Sequence, residues 1–139
     1  MNSTKRPFLF SFFCVLLCLV LVGCFGGSQE PLPELTDVIG VVTLDGKPLA
    51  DANVTFNPKE GGPSFALTDE NGKFTLMFNK DTKGATPGTH VVKIIKEENA
   101  EVAGSNLVPA KYNENSTLTA DVKKEGPNEF EFNLTSKKK

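Results

Sequence analysis

The sequence predicts an all-β domain, folded as a sandwich of seven short antiparallel strands. Three observations support this fold class. Apolar residues recur at every second position in short segments between residues 38 and 134, as in strands with one buried face. Clusters of Gly, Pro, Asn and Asp separate these segments, and no stretch shows a convincing helical period. Short alternating strands divided by turn signals are typical of a β-sandwich, in which two sheets bury their apolar faces against each other.

A segment typical of secretion signals precedes the strands. Lys5 and Arg6 form a short positive region, and residues 8–22 form a run of fifteen residues that is apolar except for Ser11. A membrane-spanning helix needs about 20 apolar residues, so this run is short for a permanent span and fits the central region of a signal peptide. The sequence therefore predicts a signal peptide over residues 1–23.

The apolar run ends in Leu21-Val22-Gly23-Cys24, which resembles the bacterial lipobox. The resemblance implies that Cys24 is a lipid attachment site and the first residue of the mature lipoprotein. It also implies a diacylglyceryl thioether, joined in some lipoproteins by an N-linked acyl chain such as palmitate. Two chains anchor a protein stably, whereas a single chain, at about 0.8 kcal/mol per buried CH₂, binds only marginally. The alternatives are a signal anchor and a plain secretory signal with an incidental cysteine.

The other two cysteines, Cys14 and Cys18, would leave with the signal peptide. The domain then contains no cysteine that could form an internal disulfide or a thiolate metal site. Residues 24–36 contain Gly-Gly and two prolines without apolar periodicity, which predicts a lipidated tether. Phe25, rather than Asp, follows Cys24, a resemblance to lipoproteins sorted to an outer membrane.

Four strands are predicted in the first half of the domain, which spans residues 37–135. Their apolar faces carry Val42 and Leu44, then Ala52, Val54 and Phe56, then Phe65 and Leu67, then Phe74, Leu76 and Phe78. Asp45-Gly46 is a turn signal that ends the first strand. Asn71-Gly72 is the strongest short hairpin signal and predicts a hairpin between the third and fourth strands.

Three strands are predicted in the second half. Their inward faces carry His90, Val92 and Ile94, then Leu118, Ala120 and Val122, then Phe130, Phe132 and Leu134. Val91 and Ile95 make the first of these apolar on both faces, so it is expected to be central or covered. Residues 97–116 form a long connection with room for a short turn or edge strand, and residues 136–139 form a basic tail. The tail is expected to be solvated, with contact to anionic headgroups as the alternative.

The segments GVVTLDGKPLADANVTFNP, TDENGKFTL and TPGTHVVKI together resemble the carboxypeptidase regulatory-like domain, a prealbumin-like (transthyretin-like) sandwich. The matching positions are Gly40, Val42, Gly46, Pro48, Leu49, Ala52, Val54, Thr68, Asp69, Gly72, Phe74, Pro87 and Gly88. His90 stands where the family usually has Tyr. The resemblance covers residues 38–96 and implies the fold, but it implies little about function, because such sandwiches host many roles.

Two possible chemical sites can be judged from the residues. His90 is the only histidine, and no Ser or Cys lies at a recognisable spacing from it, so a core side chain donating one hydrogen bond is favoured over a general base. The turn at residues 69–72 imitates part of an EF-hand loop, but Lys80 stands where the bidentate acid is needed. A surface cation site at Asp69 and Glu70 is the alternative to a plain turn.

Two relatives of the family have chemistry that this sequence does not support. The isopeptide bond of some Cna B-type domains needs a first-strand Lys, which residues 38–44 lack, and Asn133 is predicted to face outward. The transthyretin-like hydroxyisourate hydrolase has paired His and Arg residues, whereas this chain has no Arg after Arg6. No catalytic residue, cofactor or metal site is therefore predicted.

The sequence thus indicates a lipid-anchored lipoprotein of the bacterial cell envelope, with the outer membrane favoured over the inner one. Its domain is predicted to be a non-enzymatic binding or structural module that meets an envelope protein or polysaccharide. A net charge of −2 gives no reason to expect a nucleic-acid partner. The alternatives are an accessory subunit of a larger envelope complex and a hydrolase of unrecognised type. Leu107, Val108 and Tyr112 mark the 97–116 connection as the candidate contact site, unless all three pack on the core.

Overall fold

The computed structural model describes residues 31–98, 102 and 105–137. Cys24, the predicted signal peptide, most of the predicted tether, part of the 97–116 connection and the last two lysines lie outside these residues. The described residues form eight strands: β1 (Val38–Leu44), β2 (Lys47–Pro48), β3 (Asn53–Pro58), β4 (Ser64–Leu67), β5 (Lys73–Thr75), β6 (Gly88–Ile95), β7 (Thr119–Val122) and β8 (Asn128–Leu134). A 3-10 turn spans Ala110–Tyr112. The predicted all-β class is confirmed.

The strands form two four-stranded sheets. In the first sheet β1 pairs with β8 along one side and with β5 and β2 along the other. The second sheet has the order β4-β3-β6-β7. The prediction that the strand at residues 90–95 is central is confirmed, because β6 lies between β3 and β7.

The predicted count of seven strands is wrong by one. Asp45 and Gly46 have φ values of 52° and 79°, which are the two left-handed positions of a type I′ turn. The turn folds Lys47 and Pro48 back onto β1, where they pair with Leu44 and Thr43 as β2. Pro48 does not prevent this pairing, because a proline is tolerated at the edge of a sheet, where no further strand needs its N–H.

The predicted antiparallel arrangement is also wrong at one position, since β1 and β8 are parallel. They pair over seven residues, from Val38 opposite Asn128 to Leu44 opposite Leu134. After β7 the chain turns at residues 123–127. It then enters β8 at the end of the sheet where it also enters β1. The alternation of apolar residues fixes which face of a strand is buried, but it carries no information on strand direction.

The predicted apolar face of β4 is inverted. Phe65 and Leu67 were expected inside, but their side chains are 48% and 59% exposed, while Ser64 and Ala66 are buried. The pairing of β4 with β3 explains this result, because Ser64 lies opposite Phe56 and takes the same inward face. In this strand of four residues, the register of pairing with β3 determines which face is buried, and the apolar character of Phe65 and Leu67 does not.

The expected hairpin at residues 69–72 is likewise not formed within one sheet. The turn itself is present, since the N–H of Asp69 donates to the carbonyl of Lys73 at 2.8 Å and Gly72 has a φ of 73°. The flanking strands then diverge, with β4 in the second sheet and β5 in the first. The turn therefore connects the two sheets.

The core lies where the inner faces of the two sheets meet. The ring of Phe56, from the second sheet, lies between 5.7 and 6.3 Å from the rings of Phe74, Phe130 and Phe132 of the first sheet. Gly40 lies against the Phe74 ring, and a Cβ there would clash with that ring and with the Phe130 carbonyl oxygen. Only glycine leaves room at this position for the aromatic layer.

Candidate contact surface

The parallel pairing of β1 and β8 gives the domain two distinct ends. The entry pole consists of residues 32–37, which lead into β1, together with Ala85 and the 123–127 turn. The far pole consists of the Asp45-Gly46 turn, the described part of the 97–116 connection and residues 135–137. β1 has seven residues and a strand rises about 3.3 Å per residue, so roughly 20 Å separates the two poles.

The entry pole holds the incoming chain firmly. The N–H and carbonyl of Thr36 each bond the backbone of Ala85 at 3.0 Å. Asn128 is buried, and its Nδ2 donates to the Lys123 carbonyl at 2.9 Å and to Thr36 Oγ1 at 3.3 Å, while its Oδ1 accepts the Lys123 N–H at 2.8 Å. The chain that leads from the predicted tether is thus fixed beside the start of β8.

The 97–116 connection is ordered by two asparagines where the structure describes it. Asn106 Oδ1 accepts the N–H groups of Lys96 at 3.1 Å and Val108 at 3.0 Å. Asn113 is buried, and its Nδ2 donates to the carbonyls of Val108 at 3.0 Å and Pro109 at 3.1 Å. These bonds place the connection across the far pole.

The three candidate contact residues in this connection have different positions. Val108 is buried in the core, and Tyr112 is partly buried against it. Leu107 remains 42% exposed. The alternative that these side chains pack on the core is therefore correct for Val108 and Tyr112. Of the three residues, only Leu107 is available for contact.

The start of the basic tail is bound at the far pole. Lys111 Nζ donates to the carbonyl of Lys137 at 3.2 Å and lies 4.8 Å from the centre of the Tyr112 ring. The N–H of Thr135 donates to the Tyr112 hydroxyl at 3.2 Å. The backbone of residues 135–137 is thus held beside the 3-10 turn, although the Lys137 side chain is exposed.

Two ionisable groups at this pole have shifted pKa values. A hydrogen bond with the Thr135 hydroxyl lowers the pKa of Tyr112 below its ordinary value, against a smaller opposing effect of burial. Hydrogen bonds from the Ser136 hydroxyl and from its N–H, at 3.0 Å, lower the pKa of Asp45. The Asp45 contact therefore stabilises the fold at pH values above the ordinary pKa of an aspartate. This stabilisation is lost as the pH falls through the lowered pKa of the folded chain.

His90 lies inside the fold. It is fully buried, its ring lies 5.7 Å from the ring of Phe56, and its Nε2 lies 2.8 Å from the carbonyl oxygen of Thr86. Because a carbonyl can only accept, Nε2 carries the proton, and the predicted single hydrogen bond is present. His90 Nδ1 is buried without a hydrogen-bond partner among the described residues. This environment favours a core-packing role for His90 over a role as a general base.

One oxygen of the Asp69 carboxylate is occupied by hydrogen bonds within its own turn. Its Oδ1 accepts the N–H groups of Asn71 and Lys73, each at 2.9 Å. The part of the chain that the structure describes contains no group of three His, Cys, Asp or Glu residues that could hold a metal ion. The geometry supports the plain turn over the cation site.

Two features of the surface were not predicted from the sequence. The first is the outer edge of β8, which has no strand partner in the described ranges. The second is that Phe65 and Leu67 join Val91 and Ile95, whose outward positions were predicted, in one apolar outer face of the second sheet. The alternation of Glu with Phe in residues 129–132 was the available signal for the first, but a sequence pattern cannot show which strand lies at an edge.

Comparison with known proteins finds no matching family model, no matching curated protein and no matching solved structure. The resemblance to the carboxypeptidase regulatory-like domain therefore stays a prediction. Within the described residues, no helix has the length and apolar character needed to cross a bilayer.

Proposed function

We propose that this chain is a lipid-anchored lipoprotein of a bacterial cell envelope whose domain is a non-enzymatic binding or structural module. The observation that carries the proposal is Leu21-Val22-Gly23-Cys24 at the end of a signal-like apolar run. Cys24 would hold the lipid, and Phe25 after it favours the outer membrane. The partner would be an envelope protein or polysaccharide.

The proposed fold family is the prealbumin-like carboxypeptidase regulatory-like domain. Two packed all-β sheets are compatible with it, and several matching positions have clear local roles. Gly46 and Gly72 have φ values of 79° and 73°, which other residues adopt only at a cost. Thr68 is buried and bonds the chain before β3. These roles concern folding, so the family match alone does not define a ligand.

A contact role is supported by the arrangement of the two poles. The predicted tether joins the domain at the entry pole, so the far pole would on average face away from the lipid. The first lysine of the tail lies at that far pole, where its backbone carbonyl accepts from Lys111 at 3.2 Å. At this position the exposed Lys137 side chain can meet other envelope components.

The anchor is tested by mass spectrometry of the protein purified from its native membrane. We expect a chain that begins at Cys24 and carries the added mass of a diacylglyceryl group. Cys24→Ser should accumulate as an unprocessed precursor, whereas Cys18→Ser, inside the signal, should be processed normally. A mature terminus elsewhere without lipid would falsify the anchor.

A second candidate is an accessory subunit of a larger envelope complex. The observation that favours it is the long edge of β8, which has no strand partner among the described residues and would accept a strand from another chain. Site-specific photocrosslinking in intact cells from β8 and from the far pole distinguishes the two candidates. A protein partner should crosslink from β8, and a far-pole ligand should crosslink from Leu107.

A further inference from the structure

The free edge of β8 is the longest strand edge without a partner in the described part of the chain. β8 pairs with β1 over seven residues and with no other strand there. β7, at the edge of the second sheet, has only four residues. At the opposite edge of that sheet β4 has only four residues, and Phe65 exchanges two backbone hydrogen bonds of 2.9 Å with Met77.

The backbone of β8 directs alternate residues outward. The carbonyl of Leu134 accepts the N–H of Asp45 at 2.9 Å, which shows that this residue bonds toward β1. In a parallel ladder the residues of one strand bond alternately to its two sides. The N–H and C=O groups of Glu129, Glu131 and Asn133 therefore point to the free edge.

The side chains along this edge differ between its two faces. Glu129 and Glu131 are exposed on the outer face and form no ion pair within the described residues. Phe130 lies on the inner face, only partly buried, and its ring stacks 6.3 Å from that of Phe132. An added strand would thus meet negative charge on one face and an aromatic ring on the other.

We propose that the free edge of β8 binds an extended polypeptide segment in which Lys or Arg alternates with apolar residues, by addition as a further strand of the first sheet. Backbone hydrogen bonds would give affinity, and the alternating side chains would give specificity. A second copy of β8 fits less well, because it carries the same acids and would bring like charges together. The inference deepens the second candidate function, an accessory subunit that accepts a strand from another chain, and rests on the proposed anchor for the partner's location in the envelope.

The test uses the full-length protein in nanodiscs of zwitterionic phosphatidylcholine. The probe is a fluorescent peptide of alternating Lys and Val, and binding is followed by anisotropy. One control peptide replaces every Val by Pro, which keeps the charge but prevents strand pairing. A second control replaces every Lys by Glu. We expect saturable binding of the Lys-Val peptide and at least about tenfold weaker binding of both controls.

Glu131→Pro is the decisive variant. It removes an N–H that points away from β1, and proline is tolerated at such edge positions, so β1 pairing should survive. We expect at least about a tenfold loss of peptide affinity, while Glu131→Gln, which keeps the N–H, should lose only about two- to fivefold. Glu129→Pro provides a second test if Glu131→Pro does not fold, and circular dichroism reports folding in each case.

Three results would overturn the proposal. The first is no binding of the Lys-Val peptide, or equal binding of its proline analogue, which would indicate simple electrostatic adsorption. The second is unchanged affinity in a folded proline variant. The third is a dimer that the proline variant dissociates, which would assign the edge to a second copy. None of these results depends on the lipid at Cys24, which mass spectrometry tests separately.

Discussion

The side chain of Thr68 binds the turn between β2 and β3 to the end of β4. Its hydroxyl accepts the N–H of Ala52 at 2.8 Å and donates to the carbonyl of Leu49 at 2.6 Å, and the side chain is buried. These bonds fix the turn between β2 and β3, in which Asp51 has a φ of 51°. A single hydroxyl thus satisfies two buried backbone groups.

Replacing Thr68 by Val tests this role. The substitution keeps the shape of the side chain but leaves a buried donor and a buried acceptor without a partner. We expect a loss of about 1–3 kcal/mol in the free energy of unfolding, measured by denaturant titration. Thr68→Ser keeps the hydroxyl and should lose clearly less. Equal losses for the two variants would assign the effect to the methyl group.

Phe132 is the corresponding test of the core. Its ring lies about 6 Å from those of Phe56, Phe74 and Phe130, and the side chain is buried. Phe132→Ala should cost about 3–5 kcal/mol in unfolding free energy, since it removes a buried aromatic side chain. The adjacent Glu131→Ala, on the exposed face, should cost less than about 0.5 kcal/mol. Similar losses at both positions would contradict the register of β8.

At the scale of elements, most buried faces could be predicted from the sequence. In β3, β6, β7 and β8 the apolar residues alternate over several positions, and the predicted inward residues are buried or packed on the core. Long alternation succeeds because burial of one face dominates the choice of register. The same reasoning placed His90 on the inward face of β6, where it is buried.

The predictions that failed depended on contacts between distant segments. β4 has four residues, and its inward face is set by its pairing with β3. The Asn71-Gly72 turn is formed as expected, but the sheets that its flanking strands join are chosen by distant partners. The edge position of β8 depends on β1, more than 80 residues earlier. The local sequence pattern specifies where a turn lies or which face of a strand is buried. Which strands lie next to each other is determined by contacts across the whole fold.

The 3-10 turn allows a spectroscopic test of one element. Tyr112 is the only tyrosine and the chain has no tryptophan, so ultraviolet absorbance reports its ionisation directly. The hydrogen bond with the Thr135 hydroxyl lowers the pKa of Tyr112 from the ordinary 10.0, and the smaller effect of burial raises it. Thr135→Val should raise the titration midpoint, and Thr75→Val, at an exposed position of β5, should leave it unchanged.

The sign of this effect also fixes how stability depends on pH. Since the pKa of Tyr112 is lower in the folded chain, its tyrosinate stabilises the fold above the unfolded pKa. That contribution is lost as the pH falls through the folded pKa. An unchanged midpoint in Thr135→Val would show that the hydroxyl contact at the far pole is not made in solution.

At the scale of the whole molecule, the lipid proposed at Cys24 would bring the entry pole closer to the membrane than the far pole. Lys59 follows β3 at the entry-pole end, and Lys47 follows the Asp45-Gly46 turn at the far pole; both are exposed. Fluorophores attached through Lys59→Cys and Lys47→Cys can be compared by energy transfer to an acceptor lipid. In the lipidated protein the label at residue 59 should transfer more efficiently, because the tether joins the nearer pole. Equal transfer would mean that the tether lets the domain reorient freely.

The pairing of β1 with β8 has a further consequence for the timing of folding. Thr43 and Asn133, which share a 2.7 Å side-chain hydrogen bond across these strands, are 90 residues apart in the chain. Contacts between such distant segments raise the contact order and slow folding, because a long loop must close before they form. The first sheet cannot be completed until nearly the whole chain has been synthesised. If the chain is exported as proposed, this delay would keep it unfolded while it is threaded through a translocation channel, and the sheet would close only after β8 emerges on the far side.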